Sequence, residues 1–256
     1  MWKELNLWIF FKLLVERRIC EWIADADVLV VNGEQVLNGM FAVGKGTYLE
    51  SGDEIQRVIM NLIPCNAVFK HSKGGTDDLP SITQYLSLVL AQDERLEFYQ
   101  GDMTVAFYLF GIPAGWLAAM SFNIWFDGEK IGREKGVRLR PACRVIPMGW
   151  ASAVSVMQEL AERLATISQL PEGYRVRRTS PLPSWLTEVC DRAVATNRPW
   201  FHVYLDNFCA MEVRTREGDE AKGPAFHQSL ESTWQKVGVL SSSKKRVSGA
   251  TMIDEL

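Results

Sequence analysis

Two runs of strand-forming residues, Phe201 to Leu205 and Cys209 to Arg214, lie next to each other in the chain with the turn-forming pair Asp206-Asn207 between them. A tight turn there makes them an antiparallel hairpin, and this commits part of the chain to an antiparallel sheet. A further extended run, Leu96 to Gln100, leads into Asp102. Met40 to Val43 and Arg57 to Met60 read as a second strand pair, joined by a charged, glycine-rich loop holding Gly44, Gly46, Gly52, Asp53 and Glu54. Helical spacing of apolar residues runs from Trp2 to about Ile23, from Ser152 to Leu164 behind Gly149, from Trp185 to Ala195 and from His227 to Val237. Pro80 opens a helix-like run from Ile82 to Leu90. Val28 to Val31 is extended before the Asn32-Gly33 turn, and Pro181 and Pro183 mark a loop. Strands and helices mix without strict alternation, so the fold class is α+β.

The chain has 256 residues, 47 % of them hydrophobic and 23 % charged, enough for one large domain or two interleaved ones and unlike a disordered segment. Its formal net charge is -3, which opposes a general affinity for phosphate backbones. Local basic clusters answer this in part: Arg138, Arg140 and Arg144; Arg175, Arg177 and Arg178; Lys244, Lys245 and Arg246. A solvated charged face explains any one of them as well. Cys20, Cys65, Cys143, Cys190 and Cys209 are scattered without paired spacing, which reads as reduced, mostly buried thiols of an intracellular protein, in nucleus or cytoplasm. The apolar stretch Leu7 to Val15 is interrupted by Lys12 and too short to span a bilayer, so no membrane partner is expected.

Asp102 and Asp206 each close a strand. If those strands are neighbours, two carboxylates meet at one sheet edge and suit magnesium, which takes few protein ligands and keeps much of its water. On spacing alone, an aspartate at a strand end is more often a turn former or helix cap than a metal ligand.

The residues around these acids resemble the ordered motifs of reverse transcriptases in five successive segments, from about Leu14 to the C-terminus. Phe41-Ala42-Val43-Gly44-Lys45 and Gln56 to Asn66 look like the fingers strand pair, which implies that Lys45 and Arg57 contact the incoming triphosphate. Asp102-Met103-Thr104-Val105-Ala106-Phe107 is similar to motif A. By that resemblance Asp102 and the Met103 backbone carbonyl are metal ligands, and Phe107 is the steric gate against a ribose 2′-hydroxyl. Ile146-Pro147-Met148-Gly149-Trp150, with Ser152 and Gln158 behind, resembles motif B, which implies nucleotide-site roles for Met148, Gly149 and Gln158. Tyr204-Leu205-Asp206-Asn207 resembles the Tyr-x-Asp-Asp turn of motif C, with Asn207 where the family carries a second aspartate. Gly238-Val239-Leu240, three serines and Lys244-Lys245 resemble motif D and point to Lys245 as the proton donor to pyrophosphate. The Tyr-Leu-Asp-Asn-Phe and Ile-Pro-Met-Gly-Trp forms are most similar to retroelement proteins of protist genomes.

The resemblance implies a right-hand polymerase fold with an antiparallel palm sheet and helices packed on one face. The expected division is an N-terminal helix over 1–28 packing on the fingers, fingers over 29–85 and 112–147, and palm over 86–111 and 148–256, ending before the family's thumb at the start of a primer-grip hairpin. The activity implied is RNA-directed DNA synthesis from an RNA template, a DNA primer and dNTPs, with two Mg2+ ions held by Asp102 and Asp206, or Mn2+ in their place. The alternative is a catalytically inactive, truncated or domesticated nucleic-acid-binding module that keeps the fold. A third reading takes the nine tryptophans as protein-contact residues, although most fall in strands and helices where a core uses them.

Overall fold

The computed structural model of the protein describes residues 4–92, 94–180, 182, 197–215 and 223–250. In chain order the first strands are β1 (Cys20–Ala24), β2 (Val30–Val31), β3 (Glu34–Gln35), β4 (Gly39–Tyr48) and β5 (Glu54–Asn61). They are followed by β6 (Glu94–Asp102), β7 (Phe126–Asp127), β8 (Arg138–Cys143), β9 (Asn197–Tyr204), β10 (Asn207–Thr215) and β11 (Val247–Ala250). The helices are α1 (Glu4–Glu16), α2 (Ile63–Val68), α3 (Ala106–Leu109), α4 (Ala153–Ile167) and α5 (Gly223–Val237). Mixed helices and antiparallel sheets give the expected α+β class. The expected helix over Trp185–Ala195, the Pro181–Pro183 loop, Cys190 and the residues after Ala250 lie outside the described residues or their side chains.

Two compact units divide the chain: Met1–Ser72 with Phe107–Ala153, and Lys73–Ala106 with Val154–Leu256. Residues 73–85, expected with the fingers, belong to the second unit. The reason is visible in their partners: Gln84 Nε2 donates to the Arg177 carbonyl at 2.7 Å, and Asp78 Oδ1 accepts from Thr179 at 2.8 Å. Residues 107–111 and 148–153, expected with the palm, belong to the first unit.

In the first unit, β1, β8 and β7 form an antiparallel sheet in that order. The helix expected from Trp2 to Ile23 stops at Glu16, because Arg18 turns the chain with a φ of 60° and Cys20–Ala24 pair with Leu139–Cys143 instead. Cys20 to Ile23 stand at the end of a helical pattern, and the long-range ladder with β8 decides their conformation. Helix α1 buries Phe11 against Phe122 and Phe126, and Trp8 stacks on Trp22 at 5.8 Å. Asn38 is buried with both ends of its amide engaged: Nδ2 donates to the Ala119 and Ser121 carbonyls and Oδ1 accepts from the Cys65 amide. That satisfies a polar group which would otherwise be costly inside. The hairpin β4–β5 rises from this base, and Asn32 and Gly33, both at positive φ, turn the small β2–β3 hairpin as the Asn-Gly pair predicts.

The second unit holds a four-stranded antiparallel sheet ordered β11-β6-β10-β9. Period-2 alternation sorts its side chains between two faces. Phe201, Phe208 and Gly101 face α5, with Phe201 against Phe226 and Phe208 against His227. Trp200, Cys209, Met211 and Val213 point the other way, and the partly buried Tyr85, Leu88, Leu96 and Phe98 pack against them. Tyr85 lies on the short 3-10 helix Ile82–Ser87, where an α-helical run was expected; Ser81 and Gln84 close it with a reciprocal capping box. Helix α4 buries Met157, Gln158, Ala161, Leu164 and Ala165 along one stripe, as its periodicity predicts.

Candidate active site

Strand β6 ends at Asp102, directly opposite Asn207, the first residue of β10. Asp206 therefore stands beside Asp102 at one edge of the sheet, and the Met103 amide ties the turn down by donating to the Asp206 carbonyl at 2.8 Å. Asp102 is 4 % exposed and Asp206 is half-buried. The two acids that the sequence separates by about a hundred residues thus belong to one local cluster.

The turn that carries Asp206 is Leu205–Asp206, because Tyr204 pairs with Asn207. This shifts the expected Asp206-Asn207 turn by one residue. Leu205 has a φ of 54°, at the position where a tight hairpin needs positive φ and usually finds glycine. Such a conformation costs a leucine on the order of 1–3 kcal/mol and persists only where neighbours enforce it. Gln158 is the enforcing neighbour. Its Oε1 accepts from the Leu205 amide at 2.8 Å, while Nε2 donates to the Val203 carbonyl at 3.1 Å and to Glu162 at 2.8 Å. Expected as a nucleotide-site residue, Gln158 is instead buried, with both ends of its amide engaged in supporting the hairpin. Val105, just beyond the Asp102 strand, is a second residue at positive φ, 52°, and is β-branched as well.

The chain following α5 returns along the same edge. Thr104 donates to the Leu240 carbonyl at 2.7 Å and Ser242 donates to the Asp102 carbonyl at 2.8 Å. Those bonds, with that of the Met103 amide, leave the Met103 carbonyl outside the local ladder. They bring Lys245 to the site, where its Nζ donates to Asp102 Oδ2 at 2.9 Å. Asn207 sits on the same face, its Oδ1 accepting from Gln100 Nε2 at 3.5 Å, and Tyr204 is exposed.

The electrostatics follow from this crowding. Burial raises the pKa of Asp206, and the neighbouring charge of Asp102 raises it further, with Lys245 opposing. Lys245 is held above its ordinary value, chiefly by its hydrogen bond to Asp102. No group of three or more His, Cys, Asp and Glu side chains is arranged to hold a metal among the described residues. Two adjacent carboxylates are nonetheless hard oxygen donors of the kind magnesium accepts, since it retains water in its other positions.

The remaining expected site residues belong to the first unit. Lys45 and Arg57 are both exposed on the β4–β5 hairpin. Arg57 pairs with Val43, and Lys45 lies within the register slip that follows Gly44, so the pleat alone fixes no common face for the two. The Glu54 carboxylate fills that slip, accepting from the Gly46 amide at 3.2 Å. Phe107 is half-buried in α3, and Met148 is half-buried ahead of Gly149. Gly149 has a φ of 111°, and any Cβ there would run into the Met60 carbonyl oxygen, so no other residue fits without movement. Asn66 holds this loop from both sides, donating to the Gly149 carbonyl at 3.0 Å and accepting from the Ala151 amide at 2.9 Å. Nothing local marked Asn66 for that role, because its partners lie far along the chain.

The basic clusters are mixed in exposure, with Arg140 and Arg175 buried and Arg138, Arg144, Arg178, Lys245 and Arg246 exposed. Arg140 is buried and paired with Asp25, Arg175 is buried with Glu162 at 3.1 Å, and Arg177 meets Glu172 at 2.6 Å. Arg138 stacks over Trp125 at 4.6 Å, and Arg246 pairs with Glu231 at 2.8 Å. These acids and the aromatic ring compensate part of the charge of the clusters.

No family model and no curated protein matches this sequence. Among solved structures, the chain is similar to a foamy viral protease-reverse transcriptase in complex with double-stranded DNA, at a TM-score of 0.57 and 10 % identity. The likeness covers 99 % of this chain and 33 % of the viral one, so the chain spans about a third of that protein's length. At this identity the likeness is one of fold alone: the mixed helices and antiparallel sheets of the chain are compatible with a reverse-transcriptase-like fold.

Proposed function

We propose that the protein is the fingers and palm of a retroelement reverse transcriptase, and that Asp102 and Asp206 are its catalytic carboxylates. The observation that carries this is their meeting at one edge of the β6–β10–β9 sheet. The likeness to a viral polymerase bound to double-stranded DNA supports nucleic acid as the partner. The chemistry is transfer of a deoxynucleotide from a dNTP to a primer 3′-hydroxyl on an RNA template.

Asp102, Asp206 and the Met103 carbonyl would hold magnesium, or manganese in its place. Bound there, the metal supplies a lowered pKa for the attacking hydroxyl and neutralises charge on the phosphates. The protein's own residues orient and exclude. Gln158 fixes the Asp206 turn, Gly149 gives the chain room for close backbone approach, and Phe107 bars a 2′-hydroxyl. Lys45 and Arg57 take the triphosphate, the guanidinium as a two-pronged donor to phosphate oxygens.

Extension of a DNA primer on an RNA template, compared between wild type and Asp102→Ala, is the test. Product from the wild type that vanishes in the variant supports the assignment; equal product from both removes it. One observation favours a second reading, a nucleic-acid-binding module without catalysis: Asn207 brings no charge to a position opposite Asp102. Salt-sensitive binding of an RNA–DNA hybrid with no extension in magnesium or manganese would select that reading.

A further inference from the structure

We propose that Lys245 is the resident counter-ion of Asp102, and that a divalent cation entering the Asp102–Asp206 pair must expel its ammonium group. The proposal rests on the reading of those two carboxylates as a metal site. It adds that the chain carries its own competitor for that site.

Three features of the geometry carry it. The ammonium donates at 2.9 Å to Oδ2 of Asp102, one of the oxygens a cation would need. An ammonium and a divalent ion sharing one carboxylate oxygen repel each other, so both cannot hold that position. The Lys245 side chain is 63 % exposed while that of Asp102 is 5 % exposed. The lysine is therefore the mobile partner and the aspartate the fixed one. The backbone leading to Lys245 is anchored through Ser242, whose amide holds the Asp102 carbonyl at 2.8 Å. Rotation about the lysine's own four-carbon stem is then enough to vacate the site, with no change in the sheet edge.

Charge counting shows why this chain feels the competition keenly. Asp102 and Asp206 contribute two negative charges, and Asn207 contributes none where a third carboxylate would stand. With Lys245 in place the cluster carries a single net negative charge; with the lysine swung out it carries two. The basic neighbour Arg246 is engaged elsewhere, on Glu231 at 2.8 Å. Metal entry and lysine exit are thus one exchange, and the expelled ammonium is left near the site, free to meet a phosphate. A lysine that acted only as a proton donor in the reaction would leave the affinity for metal untouched.

The experiment is a titration of the full chain with Mn2+ alone, read by the loss of the free-ion electron paramagnetic resonance signal, with no nucleotide or nucleic acid present. Wild type is compared with Lys245→Met and Lys245→Gln, which remove the charge in an apolar and a polar form. Asp102→Asn and Asp206→Asn report on the site itself. Circular dichroism checks that each variant is folded. Both lysine variants are expected to bind Mn2+ about tenfold more tightly than wild type, the order of one charge-assisted hydrogen bond removed from the competition. If both bind no more tightly than wild type while Asp102→Asn abolishes binding, the counter-ion proposal is overturned and the metal site stands. If the two aspartate variants bind Mn2+ as wild type does, or no variant binds it at all, the metal site falls and the counter-ion proposal with it.

Discussion

The amide of Gln158 and the backbone of Leu205 are locked together: a buried side chain on α4 accepts the Leu205 N–H at 2.8 Å and holds a leucine at positive φ one residue before Asp206. The carboxylate's position is therefore set from below, by a helix, as well as by its own hairpin. Truncation to alanine would leave the Leu205 N–H and the Val203 carbonyl without this partner and open a cavity beneath the turn. Gln158→Ala is expected to cost about 2–4 kcal/mol in urea unfolding, the sum of a lost buried polar partner and a void. Leu205→Gly is expected to restore part of that loss in the double variant, because glycine relieves the backbone strain. Independent, additive effects of the two substitutions would show that Gln158 does not hold the turn.

Asp206 gives a pH prediction with a definite sign. Its folded-state pKa is raised above the ordinary carboxylate value of 3.8, by burial first and by Asp102 second. A group whose pKa is raised on folding stabilises the fold when protonated, and that contribution is lost as pH rises through the raised value. At neutral pH the charged Asp206 is thus a liability to stability. Asp206→Asn is expected to melt at a higher temperature than wild type at pH 7, with the difference closing as the pH falls below about 3.8, where the carboxyl is protonated in both folded and unfolded chains. A pH series of thermal melts followed by circular dichroism measures it. A variant that melts lower at pH 7, or a difference that does not change with pH, contradicts the assignment. The stabilised variant is also expected to lose primer extension, as happens where a site carries strain for function.

Gly149 is a backbone prediction. Its φ of 111° and the Met60 carbonyl in the path of a Cβ give alanine both a strained conformation and a collision. Gly149→Ala is expected to destabilise by about 2 kcal/mol or more in chemical unfolding. Asn66→Ala, which frees the same loop without a collision, is expected to cost about 1–3 kcal/mol, since it removes hydrogen bonds to the Gly149 carbonyl and the Ala151 amide. Were Gly149→Ala neutral, the loop would be free to choose another path and its close approach to Met60 would have no structural weight.

What the sequence disclosed and what it hid divide along physical lines. The hairpin β9–β10 and the helix α4 were legible because their periodicities and turn residues are local. The approach of Asp102 to Asp206 could be inferred only on the condition that their strands are neighbours, and the register of β6 against β10 meets that condition. Strand β8 was not legible: Arg138–Cys143 contains Pro141, which argues against a strand with neighbours on both sides. Strand β1 was hidden inside a helical pattern for the same kind of reason, because only its distant partner decides its conformation. The basic clusters were ambiguous, since sequence cannot tell an arginine facing solvent from one buried on a glutamate such as Glu162. The role of Gln158 is another such case, a long-range hydrogen bond with no local signature.

Asn207 supplies the last prediction. It stands opposite Asp102 in the register, and its side chain accepts from Gln100 at the same edge. Converting it to aspartate adds a third negative charge to a cluster in which Asp102 already raises the pKa of Asp206. Without metal, Lys245 and the Gln100 amide relieve that repulsion only in part, so Asn207→Asp is expected to melt about 2–4 °C below wild type in EDTA, the shift that roughly 1 kcal/mol produces in a chain of this size. A divalent cation reverses the sign, because the same charge that repels in its absence attracts the ion. In millimolar Mn2+ the variant is expected to recover the lost degrees and to rise further on metal addition than wild type does, as ligand binding to the folded state requires. Primer extension is expected to rise with it. Thermal melts in EDTA and in Mn2+ separate the outcomes: a variant whose melting temperature responds to Mn2+ no more than wild type's would mean that position 207 does not face the metal, and that Asn207 is no handicap to catalysis.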